Sequence, residues 1–490
     1  MKFMNKTKKS KINNFDFVII GAGTFGILSI YLLSKMFSKK KIIIIEKGSE
    51  KLKKEINFYK NIGLKHSGLK NHIYSGLGGT SNVWGGQLVE YLKQDFENEN
   101  YNQNYWGLKY QLVKKLYVEL YSVFNLSKKT RKKNQIIQRY KNFRIEKTYT
   151  RWLKSSNIYQ YLKDKINLEN ITFLKNTQLE SINFEKKLCK NIVCFNKTKR
   201  IIINGKKFIF CLGTFNTIKF FLENKSNTPW NKNNNIGKYF HDHFGINVSK
   251  IKVINKKKFL NFFSTEFIDY EKYHPKLLYV NTKKKYSISA EIRSVKSNFE
   301  LNNFKTLFKK LTYKLNFNDL IKLIILSLRM NIKLIIPFYH LIIQKKIKPD
   351  IREKLYLYLQ CQQSKPYKSN LYINNKSKFI LNWQKNTSDM NFINEFKSSL
   401  KKYFFKNKIC DLFDIKENII DTNHPSGGMI ISSNKNKGVV DKNLKVWDTK
   451  NVYVTGLCVL PKSSYANSTF TAMALTLKMI KSFKYEKKIN

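Results

Sequence analysis

The sequence has no run of 18 uncharged apolar residues, so no segment is predicted to cross a membrane. No separate apolar segment precedes the first predicted strand, Phe15–Ile20, which argues against export, and we expect a cytoplasmic protein. The six cysteines form no Cys-x-x-Cys pair and no metal-ligand spacing. We therefore expect reduced, mostly buried thiols, in a chain long enough to bury a large core without disulfides.

Acidic residues are also scarce, since 33 Asp and Glu stand against 92 Lys and Arg, for a formal net charge of +59. Such a charge favours anionic surfaces, either nucleic acid or lipid. Only eight of the basic residues are arginine, the residue on which base-edge reading depends, so we expect no specific nucleic-acid partner. The joint excess of Lys, Asn, Ile, Phe and Tyr would equally follow from coding in an AT-rich genome.

The stretch nearest to a long apolar run is Leu320–Ile347, which Lys322, Arg329 and Lys333 interrupt. It predicts one or two basic amphipathic helices at about 320–347, broken near Pro337. One interpretation is ordinary helices that face the core. The other is helices on an anionic membrane surface, which would place the protein peripherally on the inner face of the membrane.

A glycine-rich segment near the N-terminus carries the main functional signal. The apolar strand Phe15–Ile20 runs directly into Gly21, Gly23 and Gly26, a GxGxxG pattern, and a helical pattern with one buried face follows. A second strand, 41–45, ends at Glu46. This context predicts a dinucleotide-binding βαβ unit, with the phosphates at the N-terminus of the helix.

Each residue of this unit has its own predicted role. Gly21 makes the tight turn, Gly23 allows the backbone to approach a pyrophosphate, and Gly26 allows helix and strand to pack closely. Glu46 lies 20 residues after Gly26, where a carboxylate can accept hydrogen bonds from a ribose diol and disfavours a 2′-phosphate. An acidic residue at this position therefore disfavours NADP, but the spacing does not separate NAD from FAD.

Two further segments carry a family resemblance. Residues 76–87 read GLGGTSNVWGGQ, and the C-terminal part contains HPSGG at 424–428, GVVD at 438–441, NVYVTG at 451–456 and NSTFTAMAL at 467–475. In this order the segments resemble the glucose–methanol–choline (GMC) oxidoreductases, which are FAD-dependent. The GGxSxxWGG form looks more like the branch of bacterial sugar dehydrogenases and pyranose oxidase.

The resemblance implies roles for individual residues. His424 matches the family's catalytic histidine, and Asn467 matches the second position of the catalytic pair. The segment 235–243 looks like a GxxxxDH segment, and 211–214 like a turn beside the cofactor. The implied cofactor-binding residues are Gly21, Gly23, Thr24, Phe25, Gly26, Glu46, Lys47, Gly78, Gly79, Thr80, Ser81, Asn82, Trp84, Gly85, Gly213, Gly456, Leu457 and Thr469.

The sequence also departs from the family pattern. Some relatives bond the flavin covalently through a histidine where this chain has Val83, so we expect non-covalent FAD. Gly428 replaces a usual threonine, and Gln362 or Gln363 stands where an acidic residue is usual. His241 and His243 lie close together, but no third ligand stands at metal-site spacing, so no metal is predicted.

Together these patterns predict an α/β chain, α+β overall, with an FAD-binding Rossmann-like βαβ domain assembled from discontinuous segments and a mixed-sheet substrate domain. The predicted ranges are a basic tail at 1–14, the FAD-binding domain at 15–245 with a helical insertion at about 101–165, the substrate domain at 246–420, and a C-terminal return to the FAD-binding domain at 421–490.

The expected activity is oxidation of a CH–OH group of a sugar, polyol or other alcohol. His424 would be the general base, and Asn467 would donate a hydrogen bond to the developing alkoxide. The electron acceptor stays open between oxygen, a quinone and a redox protein. The alternative function is a basic protein that binds membrane surfaces or anions and keeps a flavin fold without turnover.

Overall fold

The computed structural model describes residues 10–55, 60–67, 73–96, 106–130, 132–196, 199–269, 271–294, 318, 321, 345–364 and 366–486. The amphipathic helices predicted at about 320–347 lie outside these residues, except at Ile321 and 345–347. At the C-terminal end of the predicted stretch, Lys346–Ile347 forms a short strand. In the part of the chain that is described, no helix is long and apolar enough to cross a membrane. All six cysteines are buried and free, which confirms that prediction.

The described helices, in chain order α1 to α7, are Thr24–Met36, Tyr110–Val123, Ile158–Leu162, Thr214–Glu223, Lys256–Phe263, Thr387–Lys406 and Ser468–Ser482. Strands β1 to β12 are Ser10–Ile20, Ile42–Ile45, Lys53–Lys54, Lys60–Gly63, Tyr74–Ser75, Gln87–Leu88, Gln135–Arg139, Phe143–Trp152, Ile171–Leu174, Thr177–Glu185, Leu188–Asn196 and Lys199–Phe210. Strands β13 to β23 are Phe244–Val253, Thr265–Ile268, Glu271–Asn281, Tyr286–Ser294, Lys346–Ile347, Leu355–Cys361, Asn370–Ile373, Phe379–Trp383, Cys410–Asp414, Ile419–Asp421 and Val452–Val454.

The first sheet has the order β10-β11-β12-β1-β2-β9, and β23 also pairs with β12. Strands β12, β1, β2 and β9 run parallel, whereas β10, β11 and β12 form antiparallel pairs. Helix α1 makes the crossover from β1 to β2, the connection that adjacent parallel strands require. The four isoleucines of β2 are all buried, as is typical of a strand covered on both faces.

The predicted βαβ unit is confirmed, and the boundary of the basic tail needs a correction. The tail was predicted to extend to residue 14, but β1 begins at Ser10 and its first residues pair with Ile201–Ile203 of β12. These first residues carry no local signal in the sequence, because their partner strand lies nearly 200 residues further along the chain. Strand β23 pairs with the end of β12, so the C-terminal part does return to the first sheet.

The second sheet has the order β17-β14-β15-β16-β18-β13-β21, with β22 on β13, β8 on β15, and β6 and β7 on β8. Each described pairing in it is antiparallel. The small sheet β19-β20-β4 is mixed, because β19 and β20 run antiparallel whereas β20 and β4 run parallel.

The helical insertion predicted at about 101–165 is wrong for its central part. Helices α2 and α3 lie in it, but Gln135–Arg139 and Phe143–Trp152 are strands. Strand β8 pairs with β15 along nine residue positions and so belongs to the second sheet. Long-range pairing with a strand more than 120 residues away overrides the local pattern here.

Candidate active site

The ends of β1, β2 and β12 open into a cleft of about 360 Å³, a volume within the range of cofactor sites. Fourteen of the predicted site residues line this cleft, and they come from segments far apart in the sequence. They are Gly21, Gly23, Thr24, Phe25, Glu46, Lys47, Gly79, Thr80, Ser81, Trp84, Gly213, His424, Leu457 and Thr469.

Six predicted residues lie outside the lining of the cleft, and four of them are glycines that permit close packing or the turns of its walls. A Cβ on Gly26 would lie 1.9 Å from the carbonyl oxygen of Gly21, so Gly26 permits α1 to pack on the turn. Gly78 has a φ of +86°, Gly85 packs against the ring of Trp152, and Gly456, at a φ of +137°, packs against Phe25. The remaining two are Asn82 and Asn467.

Two glycines leave open space at helix N-termini. Gly23 is the residue before α1, Gly213 is the residue before α4, and a Cβ at either position would meet no heavy atom within 4 Å. Gly213 also has a φ of +77°, which side chains rarely adopt. The free N–H groups and the dipole of each helix therefore face space that an anionic group can enter.

Glu46 is 8% exposed and joins three loops at the end of β2. Its carboxylate accepts hydrogen bonds from the backbone N–H of Ala22 at 2.8 Å, Gly48 at 2.8 Å and Gly76 at 2.9 Å. An ionised carboxylate has about four acceptor positions, so one is left for a ribose hydroxyl. Glu46 thus fixes the glycine turn, a role that the sequence alone did not indicate.

The glycine-rich segment 76–85 is held by its own polar side chains. Asn82 Nδ2 donates to the carbonyl oxygens of Leu77 at 3.1 Å and Gly79 at 2.8 Å. Ser81 Oγ donates to Gly78 O at 2.6 Å and accepts from the N–H of Ile158 at 3.2 Å. The indole N–H of Trp84 donates to Ser156 O. These bonds connect the segment to the start of α3.

His424 is half-buried in the wall of the cleft, three residues after β22. Its backbone N–H donates to Asp242 Oδ2 at 2.9 Å, and its Nδ1 lies 2.9 Å from the hydroxyl oxygen of Thr422. Burial lowers the pKa of His424, although the Asp242 carboxylate acts in the opposite direction. The ring is therefore neutral at pH 7, as a general base requires.

Asn467 precedes α7, but its side chain makes no capping hydrogen bond to that helix. Instead its Oδ1 accepts a hydrogen bond from Gln360 Nε2 at 3.1 Å, and the same Nε2 also donates to Tyr465 O at 3.4 Å. The amide oxygen is thus occupied, which leaves the Nδ2 donors of Asn467 for another acceptor.

His243, which is fully buried, contacts His424 and the residue that follows Asn467. The rings of His243 and His424 are 5.4 Å apart, and His243 Nε2 lies 3.5 Å from the hydroxyl of Ser468, the residue after Asn467. Burial and the neighbouring His424 lower the pKa of His243 to about 3. His243 is thus a neutral, inaccessible ring beside His424.

Sequence reasoning missed His66, Asp421 and the central position of Asp242. His66 follows β4 and lies among the rings of Phe215, Phe240 and Trp383, with no motif around it in the sequence. The only signal was for Asp242, which lies in the family-like segment 235–243.

Among the described residues, one group, His66, Asp242 and Asp421, has ligand atoms close enough to hold a metal ion. His66 Nε2 already bonds Asp242 Oδ2 at 3.0 Å, and the other ring nitrogen of His66 lies 3.8 Å from Asp421. His66 thus faces Asp242 with one ring nitrogen and Asp421 with the other, and the bond to Asp242 is made without an ion. The absence of a metal stays a prediction.

The comparisons with known proteins agree with this geometry. Residues 381–476 match the family model described as GMC oxidoreductase. No curated protein sequence matches the chain. Pyridoxine 4-oxidase from Mesorbium loti is similar in structure, with a TM-score of 0.57 and 10% identity over 97% of this chain and 100% of that chain.

A formate oxidase gives a TM-score of 0.57 and 13% identity, covering 96% of this chain and 98% of that chain. A mutant formate oxidase from Aspergillus oryzae RIB40, studied for FAD modification, gives a TM-score of 0.55 and 13% identity, with the same coverage of both chains. At these identities the structural likeness establishes the fold alone, and the placement in the sugar dehydrogenase and pyranose oxidase branch stays a prediction. The fold and the family match confirm that this chain is similar to the GMC oxidoreductases, the resemblance that its motifs predict.

Proposed function

We propose that the chain binds FAD non-covalently in the cleft and oxidises a CH–OH group of an alcohol, polyol or sugar. The observation that carries the proposal is that His424 lines the same cleft as thirteen predicted cofactor-binding residues, which come from four separate parts of the chain. Bound FAD would supply the hydride acceptor, and the protein would supply orientation and acid–base chemistry.

The residues of the cleft fit such a cofactor. The open space at Gly23 and Gly213 and the N-termini of α1 and α4 suit a pyrophosphate, and Glu46 keeps one acceptor position for a ribose hydroxyl. No histidine stands at Val83, whose side chain is 47% exposed, so that position offers no nucleophile for a covalent bond to flavin. Acid precipitation of the loaded protein is expected to leave all of the flavin in solution.

The chemistry would be divided between two side chains. His424, neutral at pH 7, would accept the hydroxyl proton of the substrate, because an alcohol is too weak an acid to lose it unaided. The free Nδ2 donors of Asn467 would hydrogen-bond the oxygen as its negative charge develops. The loss of such a donor costs about 3 to 4 kcal/mol of barrier.

The test is anaerobic mixing of the FAD-loaded protein with a panel of sugars, polyols and simple alcohols. Loss of flavin absorbance with at least one CH–OH compound, and re-oxidation on adding oxygen, a quinone or a redox protein, would support the proposal and identify the acceptor. A fully loaded protein that no member of the panel bleaches would contradict it.

A further inference from the structure

The hydrogen bonds around Asp242 determine which nitrogen of His424 carries the proton. Asp242 is completely buried and accepts four hydrogen bonds. Oδ1 accepts from the N–H of His243 at 2.6 Å and the hydroxyl of Thr422 at 2.9 Å. Oδ2 accepts from His66 Nε2 at 3.0 Å and the N–H of His424 at 2.9 Å. All four acceptor positions of the carboxylate are therefore filled.

Asp242 acts only as an acceptor at neutral pH. Burial raises the pKa of Asp242, but the hydrogen bond from His66 outweighs this effect and the pKa is lowered to about 2, and the backbone N–H groups of His243 and His424 also favour the ionised form. An ionised carboxylate has no proton to donate, so the hydroxyl of Thr422 must donate its proton to Asp242. The orientation of the Thr422 hydroxyl follows from this requirement.

A threonine hydroxyl has a single proton, and in Thr422 this proton points at Asp242. Toward His424 Nδ1, 2.9 Å away, the oxygen of Thr422 can only accept. Nδ1 must therefore carry a proton, and in the neutral ring the lone pair is left on Nε2. No hydrogen bond from the described residues reaches Nε2, and this atom is not among their buried atoms without a partner.

We propose that Asp242 and Thr422 are positioning residues that hold neutral His424 with its proton on Nδ1, so that Nε2 is the base. The inference rests on the proposed function, because it assigns the reacting atom of the proposed base. Asp242 also binds the backbone N–H of His424, so one carboxylate fixes both the position and the tautomer of this residue. In metal sites, partners of this kind orient a histidine and set its tautomer.

The direct test is nitrogen NMR of the FAD-loaded full chain labelled with ¹⁵N-histidine, at pH 8, where His424 is neutral. Its signals are identified by their loss in His424→Gln. We expect the shift of a protonated nitrogen for Nδ1 and of an unprotonated one for Nε2. The reverse pattern in the wild-type protein would overturn the inference, whatever the activity of the protein.

Substitutions at Thr422 provide a second test. Thr422→Val removes the acceptor and is expected to reduce the Nδ1–H population and to lower kcat 10- to 100-fold with little change in KM, a loss typical of such partners. Thr422→Ser keeps the hydroxyl and should restore the tautomer and most of kcat. Thr449→Val, which removes a buried hydroxyl bonded only to backbone carbonyls, is the matched control.

The outcomes separate the two proposals. If Nδ1 is protonated but no CH–OH compound bleaches the flavin, the proposed function is wrong, while the assignment of the His424 tautomer stands. If Thr422→Val folds, retains flavin, and keeps both the Nδ1–H signal and full kcat, Thr422 is not a positioning residue and the inference is wrong. If Thr422→Val fails to fold, the wild-type spectrum and Thr422→Ser still decide.

Discussion

The two large sheets place polar groups in different ways. At the cleft, the ends of β1, β2 and β12 are apolar and buried, and the polar groups lie on the turns that follow them. In the second sheet charged side chains are built into the strands themselves. Arg151 Nη2 lies 2.6 Å from Glu271, and Lys276 Nζ lies 3.2 Å from Glu291, all on β8, β15 and β16.

This difference explains what a sequence can reveal. The turn at the end of β1 needs special backbone conformations within six residues, from Gly21 to Gly26, so it leaves a local pattern. The pair Arg151–Glu271 joins residues 120 positions apart, and nothing near either residue marks the other. The glycine turn at the first sheet can therefore be predicted from local sequence patterns, whereas the buried ion pairs of the second sheet cannot.

The contrast between the cleft and the strands of the second sheet is tested most strongly by replacing one histidine at each place. His424→Gln is expected to lower the rate of flavin reduction by about 10²- to 10⁴-fold, because the base is lost. His274→Gln, in the second sheet, should leave this rate close to that of the wild type. The measurement is stopped-flow reduction at saturating substrate, with equal flavin content in both variants. An equal loss of the flavin reduction rate in the two variants would contradict a special role for His424 at the cleft.

A buried ion pair in the second sheet should control stability rather than chemistry. Arg151→Met leaves Glu271 buried without its cation, which is expected to cost about 3 to 5 kcal/mol of unfolding free energy. The double variant Arg151→Met/Glu271→Gln should recover part of this loss. Urea unfolding at pH 7 measures the change.

The matched control is Arg200→Met, which breaks an exposed pair with Glu180 on the first sheet. No measurable change in stability is expected there. An effect of Arg200→Met as large as that of Arg151→Met would show that burial does not distinguish the two pairs.

Glu291 should make the stability of the second sheet depend on pH. Burial raises the pKa of Glu291, but Lys276 and Arg293 outweigh it and lower this pKa from 4.5 to about 2. Because the folded pKa is depressed, the stabilisation is complete above pH 4.5 and disappears as the pH falls to about 2. The depression corresponds to roughly 3 kcal/mol at most.

The measurement for Glu291 is urea unfolding of the wild type and Glu291→Gln between pH 6 and pH 2. The wild type should be the more stable at pH 6, and the difference should shrink toward zero near pH 2. A difference that stays constant over this range would mean that the carboxylate charge contributes nothing.

The last pair of predictions concerns two glycines of the first-sheet turn. Gly26→Ala places a Cβ against the carbonyl oxygen of Gly21 and should cost about 1 to 3 kcal/mol of stability. Gly23→Ala meets no heavy atom within 4 Å, so it should fold normally but bind FAD more weakly, because its methyl group enters the cleft. Thermal unfolding and flavin titration separate the two. Normal FAD affinity in Gly23→Ala would contradict the placement of the cofactor.

The sequence predicted the parts of the fold whose signals are local. Strand β2, helix α1 and the end of strand β1 were predicted, because apolar runs and the glycine turn mark them. Strand β8 was interpreted as helix, because its partner β15 lies more than 120 residues away.

The same limit applies to the candidate site. His424 and the glycines stand in motifs, so residue patterns located them before the structure did. His66 and Gln360 stand in no motif, and their importance appears only when folding brings them to Asp242 and Asn467. Hydrogen-bond partners across sheets have no fixed spacing in the chain, so no sequence pattern could have found them.

The most direct test of the central claim, that the cleft at the first sheet holds FAD, is the visible absorption spectrum of the purified full chain. The account predicts a flavin spectrum, either as isolated or after incubation with FAD and removal of the excess. A colourless protein that takes up no added FAD would contradict it.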